Sequence, residues 1–335
     1  MSNSGSYLTG LLVLFFLAQP KQTLALKKDH PLDLTALENC VKASRDIVYK
    51  TVVGREIHLD LYYPKKKSSP YPLFYFIHGG GWYVGSKKLA KNQQLIFDDL
   101  LRAGVACASI NYRLVSQSTP EKPIEMRDCV TDAKDGLRFL KKYQDKYQLD
   151  MSRVVTHGTS AGGQISLLLA YSNAEEFRGE PTLVDFPVSP VGCVSWFGPT
   201  DFTDSDLFIP HGMKAKLPPD RFTSRIMNGA PRIGYHQAND ILKEKMREMS
   251  TVTYLKKSSP PVLQLHGNKD ATIPHKHALQ LRKKAKAVGT EVEVITVENA
   301  GHGFNFGGGH TPKLSVLILA SVEYSLKWMG IEYPQ

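Results

Sequence analysis

The sequence predicts an α/β fold: a mostly parallel eight-stranded sheet flanked by helices, with a small cap insertion after the sixth strand. Three observations predict it. Short runs rich in β-branched and aromatic residues alternate with helical patterns along most of the 335 residues. Such alternation places helices on both faces of a parallel sheet. The inner runs, such as Pro72–His78 (PLFYFIH), are continuously apolar, as strands buried on both faces must be. The rhythm then breaks once, from Asp201 to about Ser250, in a stretch rich in Pro, Asp and Phe. An insertion there lies over the carboxyl ends of the strands, where open α/β sheets bind ligands.

The elements follow in order. Residues 1–25 read as a signal peptide. Leu8–Ala18 (LTGLLVLFFLA) is an apolar run too short to span a bilayer, and Thr23-Leu24-Ala25 supplies a small-residue cleavage site. Export, periplasmic or secreted, is therefore expected, with no stable membrane span once the signal is removed. Its first residues, MSNSGSY, carry no Lys or Arg. Residues 26–45 read as a charged linker with a short helix, and 46–335 as the α/β domain. Ile47–Val53 and Glu56–Tyr63 are strand-like runs joined by Gly54-Arg55, hence a hairpin. Asn92–Ala103 is helical and stops at Gly104. Val105–Tyr112 is a strand, Ile124–Tyr147 a long helix, Arg153–His157 a short strand and Gln164–Tyr171 a helix. Val191–Phe197 and Pro261–His266 are further strands, with helix between them only near Ile241–Met249. His275–Val288 is a helix ending at Gly289, Glu291–Val297 the last strand and Lys313–Met329 the last helix.

Composition excludes several classes. An apolar content of 42 % and a charged content of 22 % suit a folded globular chain rather than a disordered one. The net charge of +10 invites a nucleic-acid reading. The lysines, however, are spread out apart from short runs at Lys65–Lys67 and Lys283–Lys284, and no finger or helix-turn-helix pattern accompanies them. Cys40, Cys107, Cys129 and Cys193 lack metal or redox spacing. Buried free thiols are expected, with one disulfide left open. The histidines have no close thiol or carboxylate set with ligand spacing, so no metal is expected.

The chemistry concentrates in four places. Gly158-Thr159-Ser160-Ala161-Gly162 matches G-x-S-x-G between a short apolar strand and a helical pattern. There a strand must turn into a helix within one or two residues, so only small neighbours fit, and the turn lifts the serine hydroxyl above the sheet. The N–H of Ala161 then opens a helix and can face a developing anion. His78-Gly79-Gly80-Gly81-Trp82 follows the strand PLFYFIH. Its glycines let backbone N–H groups turn towards a ligand, so Gly80, Gly81 and Ala161 are the expected oxyanion hole. A serine needs an imidazole base oriented by a carboxylate. In chain order after Ser160, Asp270 lies just past the strand PVLQLHG, and His302 sits between glycines after the last strand. Ser160, Asp270 and His302 are the expected catalytic residues. His310, after Gly307–Gly309, rivals His302, and Asp201 rivals Asp270. His78 is expected to brace its loop, His157 to lie in a buried strand, and His275, His277 and His310 to sit on exposed turns.

Taken together, HGGGW (78–82), NYRL (111–114), GTSAGG (158–163), FGPTD (197–201), SPPVLQLHGNKD (259–270) and GHGF (301–304) resemble the α/β-hydrolase superfamily. The resemblance is to its hormone-sensitive-lipase-like and feruloyl- or acetyl-esterase-like branches, and it covers about residue 45 to the C-terminus. It implies ester hydrolysis through an acyl-enzyme, a Ser–Asp–His triad here formed by Ser160, Asp270 and His302, and no cofactor. Two departures stand out. The N-terminal cap of the lipase-like branch is hardly present, and the insertion after Gly198 is long for the feruloyl-esterase-like branch. The expected substrates are small-molecule or carbohydrate-linked esters with short acyl or aryl groups, or short-chain lipid esters, met by a monomer or weak dimer. Two alternatives keep the scaffold: an amidase such as an arylformamidase-like enzyme, and a non-catalytic binding module. The latter is disfavoured because every triad residue is retained.

Overall fold

The computed structural model describes residues 37–65, 69–209, 222–228, 230, 233–304 and 309–333. The expected signal peptide at 1–25, most of the expected linker and residues 210–221 of the insertion lie outside the described residues.

Among the described residues, eight strands form one sheet. They are β1 (Cys40–Val52), β2 (Arg55–Pro64), β3 (Tyr71–Ile77), β4 (Ala106–Ile110), β5 (Leu149–Thr159), β6 (Gly192–Trp196), β7 (Val262–Gly267) and β8 (Val292–Val297). Their spatial order is β1-β2-β4-β3-β5-β6-β7-β8. The β1–β2 and β2–β4 pairs are antiparallel, and every pair from β4 to β8 is parallel. Residues of β3, β4, β6 and β7 are buried throughout, which is why their sequences are mostly apolar rather than alternating, and the polar residues they hold (Ser109, Ser195, Gln264 and His266) are buried with them.

Helices cover both faces: α1 (Lys91–Arg102), α2 (Met126–Lys142), α3 (Gln144–Tyr147), α4 (Ala161–Tyr171), α5 (Thr223–Ile226), α6 (Asp240–Met249), α7 (Lys276–Val288) and α8 (Leu314–Met329). On one face α1 and α8 set Ile96, Phe97, Leu317 and Leu326 against Phe74, Phe76, Val194 and Leu263. On the other, α2 and α4 set Val130, Ala133, Ile165 and Leu168 against Leu73, Tyr75 and Ile77. Every residue of α4 is buried, as a helix apolar on all sides requires. Helices α7 and α8 stop at Gly289 (φ +81°) and Gly330 (φ +67°). The residue after each glycine donates back to the last turn, Thr290 N to Ala285 O and Ile331 N to Leu326 O. Only a residue at ease in the left-handed region closes a helix this way.

Under the sheet, between α2 and β1, lies a buried ionic network. Lys50 Nζ donates to Asp132 (2.9 Å) and Asp135 (2.7 Å), Arg138 pairs with Asp135 (2.9 Å), and Arg113 grips Asp132 with Nε and Nη2 (2.7 and 2.8 Å). Each charge is taken out of water with a partner, the condition under which buried ions persist.

Several elements differ from the sequence reading, among them β5, which runs over Leu149–Thr159 rather than Arg153–His157. The described part of 26–45 contains no helix. Instead β1 begins at Cys40 and pairs Ala43 with Tyr62 and Ser44 with Leu61. Three register irregularities along β1 interrupt the two-residue alternation by which a strand is read. The long helix expected at 124–147 starts at Met126 and breaks at Tyr143 (φ −111°, ψ 27°) before the single turn of α3. No Pro or Gly marks that break.

Candidate active site

Ser160 occupies the turn between β5 and α4 with φ +54° and ψ −118°. A non-glycine residue held there costs on the order of 1–3 kcal/mol, so the surroundings must impose it. They do so by close packing. A Cβ on Gly158 would overlap Gly162 O, and one on Gly162 would overlap Ile77 O. The helix therefore presses directly onto the carboxyl ends of β3 and β5. Ser160 N donates to Trp196 O at 2.8 Å, tying the turn to β6.

Two loops bring the partners. Asp270 follows β7 and is buried. Its Oδ1 accepts the N–H groups of Thr272 (2.8 Å) and Ile273 (2.9 Å), and its Oδ2 lies 2.7 Å from His302 Nδ1. His302 follows β8, where Gly303 (φ +79°) turns the chain, and the Phe197 ring meets the imidazole edge-to-face at 4.8 Å. His302 Nε2 lies 3.0 Å from Ser160 Oγ. The structure thus brings Ser160, His302 and Asp270 into one hydrogen-bonded line. Burial pushes the Asp270 carboxyl up. The hydrogen bonds from His266 and His302 outweigh that and hold it far below the usual carboxylate range. An ionised Asp270 keeps the proton on His302 Nδ1 and leaves Nε2 free to accept from Ser160.

The glycine loop stands beside this line. Gly80, Gly81 and Trp82 have φ of +108°, +61° and +59°. Tyr83 N and Val84 N both donate to Gly80 O (3.1 Å), closing a tight turn. No acceptor among the described residues takes the N–H groups of Gly80, Gly81 or Ala161. A Cβ on Gly79 would sit 2.8 Å from Thr159 O and 3.4 Å from Ser160 Cβ, so the loop can approach Ser160 this closely only as glycine.

Several residues outside the triad hold this loop. His78 stacks on Tyr112 (4.2 Å), and its Nδ1 lies 2.7 Å from Gly79 O. Burial lowers its pKa to about 4, so the ring is neutral and Nδ1–H donates. Tyr112 Oη donates to His78 O (2.9 Å), and the Asn111 side chain accepts Lys87 N (2.7 Å), which gives the NYRL stretch its role. Trp82 Nε1 donates to Gln164 Oε1 (3.1 Å). Arg225, from the insertion, donates to Gly81 O (2.8 Å). Gln164 and Arg225 carry no sequence signal of this role, since a glutamine in a mostly apolar helix and an arginine in an irregular stretch fit no pattern.

The rivals lie elsewhere. His310 Nδ1 bonds Pro312 O (2.7 Å). Asp201 is buried and accepts Thr203 Oγ1 (2.6 Å), Gln280 Nε2 (3.0 Å) and Lys284 Nζ (2.9 Å). His275 and His277 are not on exposed turns: His275 is half-buried, and His277 is fully buried with Nδ1 accepting Thr200 N (3.2 Å). Burial lowers the His277 pKa to about 3. His157 lies buried in β5, as read. All four cysteines are free, and Cys107, Cys129 and Cys193 are buried. Among the described residues no His, Cys, Asp and Glu group could hold a metal, and no helix is long and apolar enough to cross a membrane.

A cavity of about 480 Å³ opens against Gly79, Gly80, Leu89, Ala90 and Thr159, next to the nucleophile's turn. A second, of about 340 Å³, lies away from the triad, lined by Lys134 and Arg138 of α2, Tyr171 at the end of α4, and Pro190 and Pro260, which precede β6 and β7. It has no part in this chemistry.

Comparison with known proteins agrees with this architecture. The family profile described as BD-FAE matches residues 59–285. Esterase LipC of Mycobacterium tuberculosis is 26 % identical over 249 residues, 72 % of this chain and 55 % of that protein. A probable isoprenylcysteine alpha-carbonyl methylesterase, ICME, of Oryza sativa subsp. japonica is 27 % identical over 262 residues, 77 % of this chain and 58 % of that protein. The chain thus spans a little over half the length of these curated relatives. Among solved structures, a truncated carbohydrate esterase from gut microbiota superimposes with a TM-score of 0.70 at 19 % identity, covering 89 % of this chain and all of that one. Esterase 2 of Thermogutta terrifontis with butyrate bound gives 0.67 at 21 % identity, covering 89 % and 97 %. At such identities these likenesses establish the fold.

Proposed function

Since this chain belongs to the BD-FAE family, we propose that it is a carboxylic ester hydrolase that works through a serine acyl-enzyme. One observation carries the reading: the continuous line from Asp270 through His302 to Ser160, beside three backbone N–H groups with no partner among the described residues. Ser160 Oγ attacks the ester carbonyl while His302 Nε2 takes its proton. The charge that develops on the carbonyl oxygen falls to the N–H groups of Gly80, Gly81 and Ala161, each worth roughly 10²–10³ in turnover. Collapse of the tetrahedral species expels the alcohol, which receives the proton from His302. Water, activated by the same imidazole, then attacks the acyl-enzyme, releases the acid and restores Ser160.

For substrates we propose short acyl or aryl esters, including carbohydrate-linked acetyl or feruloyl groups and short-chain lipid esters. The cavity beside Thr159 has the volume of a small-ligand site. A butyrate-bound esterase and a carbohydrate esterase share the fold. A panel of p-nitrophenyl esters from acetyl to decanoyl, run on the wild type and Ser160→Ala together, tests the reading. Short acyl groups should turn over fastest and the variant should match the blank. A wild type inert towards every ester and unlabelled by a fluorophosphonate would overturn it.

A further inference from the structure

The backbone of the glycine loop is the least self-sufficient part of the site. Three successive residues, Gly80, Gly81 and Trp82, lie at positive φ. Trp82 bears that conformation against its own Cβ, at a cost on the order of 1–3 kcal/mol. The turn's internal bonds, Tyr83 N and Val84 N to Gly80 O, fix only the carbonyl of Gly80. The next peptide, from Gly81 to Trp82, is fixed from outside. Its carbonyl accepts Arg225 Nη1 at 2.8 Å. The Trp82 ring is pinned by Gln164 and by Phe202 and Phe222 of the insertion, at 6.1 and 5.5 Å. Arg225 itself is seated over the rings of Tyr83 (5.6 Å) and Phe222 (5.3 Å). The absent Cβ of Gly81 makes room for it, since that atom would stand 2.5 Å from Nη1.

We infer that Arg225 is a positioning residue for the oxyanion hole, and that through it the insertion is part of the catalytic scaffold rather than a cover laid over a finished site. The inference rests on the acyl-transfer reading. The turn's bonds to Gly80 O fix the plane that carries the Gly81 N–H within the loop, and the guanidinium, by holding the next carbonyl, sets how that whole turn is presented to the developing oxyanion. It touches no reacting atom. Its contribution therefore appears in the transition state and is nearly absent from ground-state binding.

The test uses the full chain with Arg225→Met, which keeps an apolar stem over Tyr83 and Phe222 but loses the donor, and Arg225→Lys, which restores a donor. Kinetics on a short p-nitrophenyl ester are read beside inhibition by an alkyl boronic acid, which becomes tetrahedral on Ser160, and beside the thermal midpoint. The expected result for Arg225→Met is a kcat lowered roughly 10- to 100-fold, a fraction of the loss of a whole oxyanion donor. KM should stay within about threefold and boronate affinity should fall in parallel with kcat/KM. Arg225→Lys should recover most of the loss. A kcat for Arg225→Met within twofold of wild type overturns the inference. So does a fall in kcat with unchanged boronate affinity, or an equal loss in both variants that tracks a lowered thermal midpoint. A wild type with no ester turnover would remove the acyl-transfer reading first, and the inference with it.

Discussion

Replacing Asp270 by asparagine probes the line of hydrogen bonds at its most sensitive point. The two carboxylate oxygens do different things. Oδ1 accepts the backbone N–H groups of Thr272 and Ile273, at 2.8 and 2.9 Å. Oδ2 faces His302 Nδ1 at 2.7 Å, with His266 Nε2 at 3.5 Å. In Asp270→Asn the amide oxygen must take the first position, because two N–H donors point at it. The amide NH₂ then faces His302 Nδ1, and two donors cannot meet. The imidazole resolves this by moving its proton to Nε2. That nitrogen now donates towards Ser160 and can no longer accept its proton. Fold and shape survive, because the backbone bonds are kept. A wrong tautomer of this kind lowers kcat by roughly 10⁴, which is about 5 kcal/mol of barrier, with little change in KM. Steady-state hydrolysis of a short p-nitrophenyl ester measures it, and a matched thermal melt shows that the variant is folded. An Asp270→Asn enzyme within tenfold of wild type would refute the reasoning. Asp201→Asn, whose oxygen still accepts from Thr203 but whose NH₂ opposes Gln280 and Lys284, should leave kcat close to the parent value.

Four further outcomes are expected. Burial holds His78 and His157 at about 4 and His277 at about 3, so the folded chain refuses protons that the unfolded chain binds below about 6.5. Stability should therefore be complete above pH 6.5 and lost as pH falls towards 4, by about 1.4 kcal/mol per pH unit for each ring; denaturant midpoints equal at pH 7 and pH 5 would contradict this. Gly81→Ala adds a Cβ at φ +61° that stands 2.5 Å from Arg225 Nη1, and should lower kcat at least tenfold in the ester assay. Asp132→Ala takes one of two carboxylates from Lys50 and from Arg113, which keep Asp135 and Asp128, and urea unfolding should show a loss of roughly 1–3 kcal/mol. Ser160→Gly and Ser160→Ala both lack the hydroxyl, but only glycine is at ease at φ +54°, so the glycine variant should melt higher than the alanine one; the reverse order would show that the turn is not strained.

What the sequence made legible follows from where its signals are local. Strands β3, β4, β6 and β7 are buried on both faces, so their apolar runs need no alternation to be recognised. Helices α7 and α8 end where Gly289 and Gly330 stand. The turn at Ser160 can be read from the glycines beside it, because helix α4 packs onto the β3 and β5 ends too closely for any Cβ. Asp270 and His302 follow from their places after the seventh and eighth strands. What escaped has no local signal. The first half of β1 is an edge strand whose bulges scramble its alternation. The break at Tyr143 sits in a sequence with nothing against helix. Gln164 and Arg225 act through partners 82 and 144 residues away, and only the folded chain shows that they meet the glycine loop.

Two strained backbone positions of the site repay comparison. Ser160 and Trp82 both lie at positive φ without being glycine, and both are forced there by neighbours rather than by their own preference. For Ser160 the force is packing within the sheet: Gly158 and Gly162 let α4 press onto the ends of β3 and β5, and Ser160 N is bonded to Trp196 O of β6. For Trp82 the force is tertiary. Its ring is wedged between Gln164 of α4 and the aromatic residues of the insertion, and the carbonyl before it is held by Arg225. The Ser160 turn is set once α4 and β5 are packed against their neighbours β3 and β6 in the sheet. A turn imposed by a separate segment is set only when that segment is docked. On the proposed mechanism, then, the nucleophile Ser160 is built into the sheet while the oxyanion loop leans on Arg225 and the aromatic residues of the insertion, and Arg225→Met should alter turnover while leaving Ser160 and His302 in register.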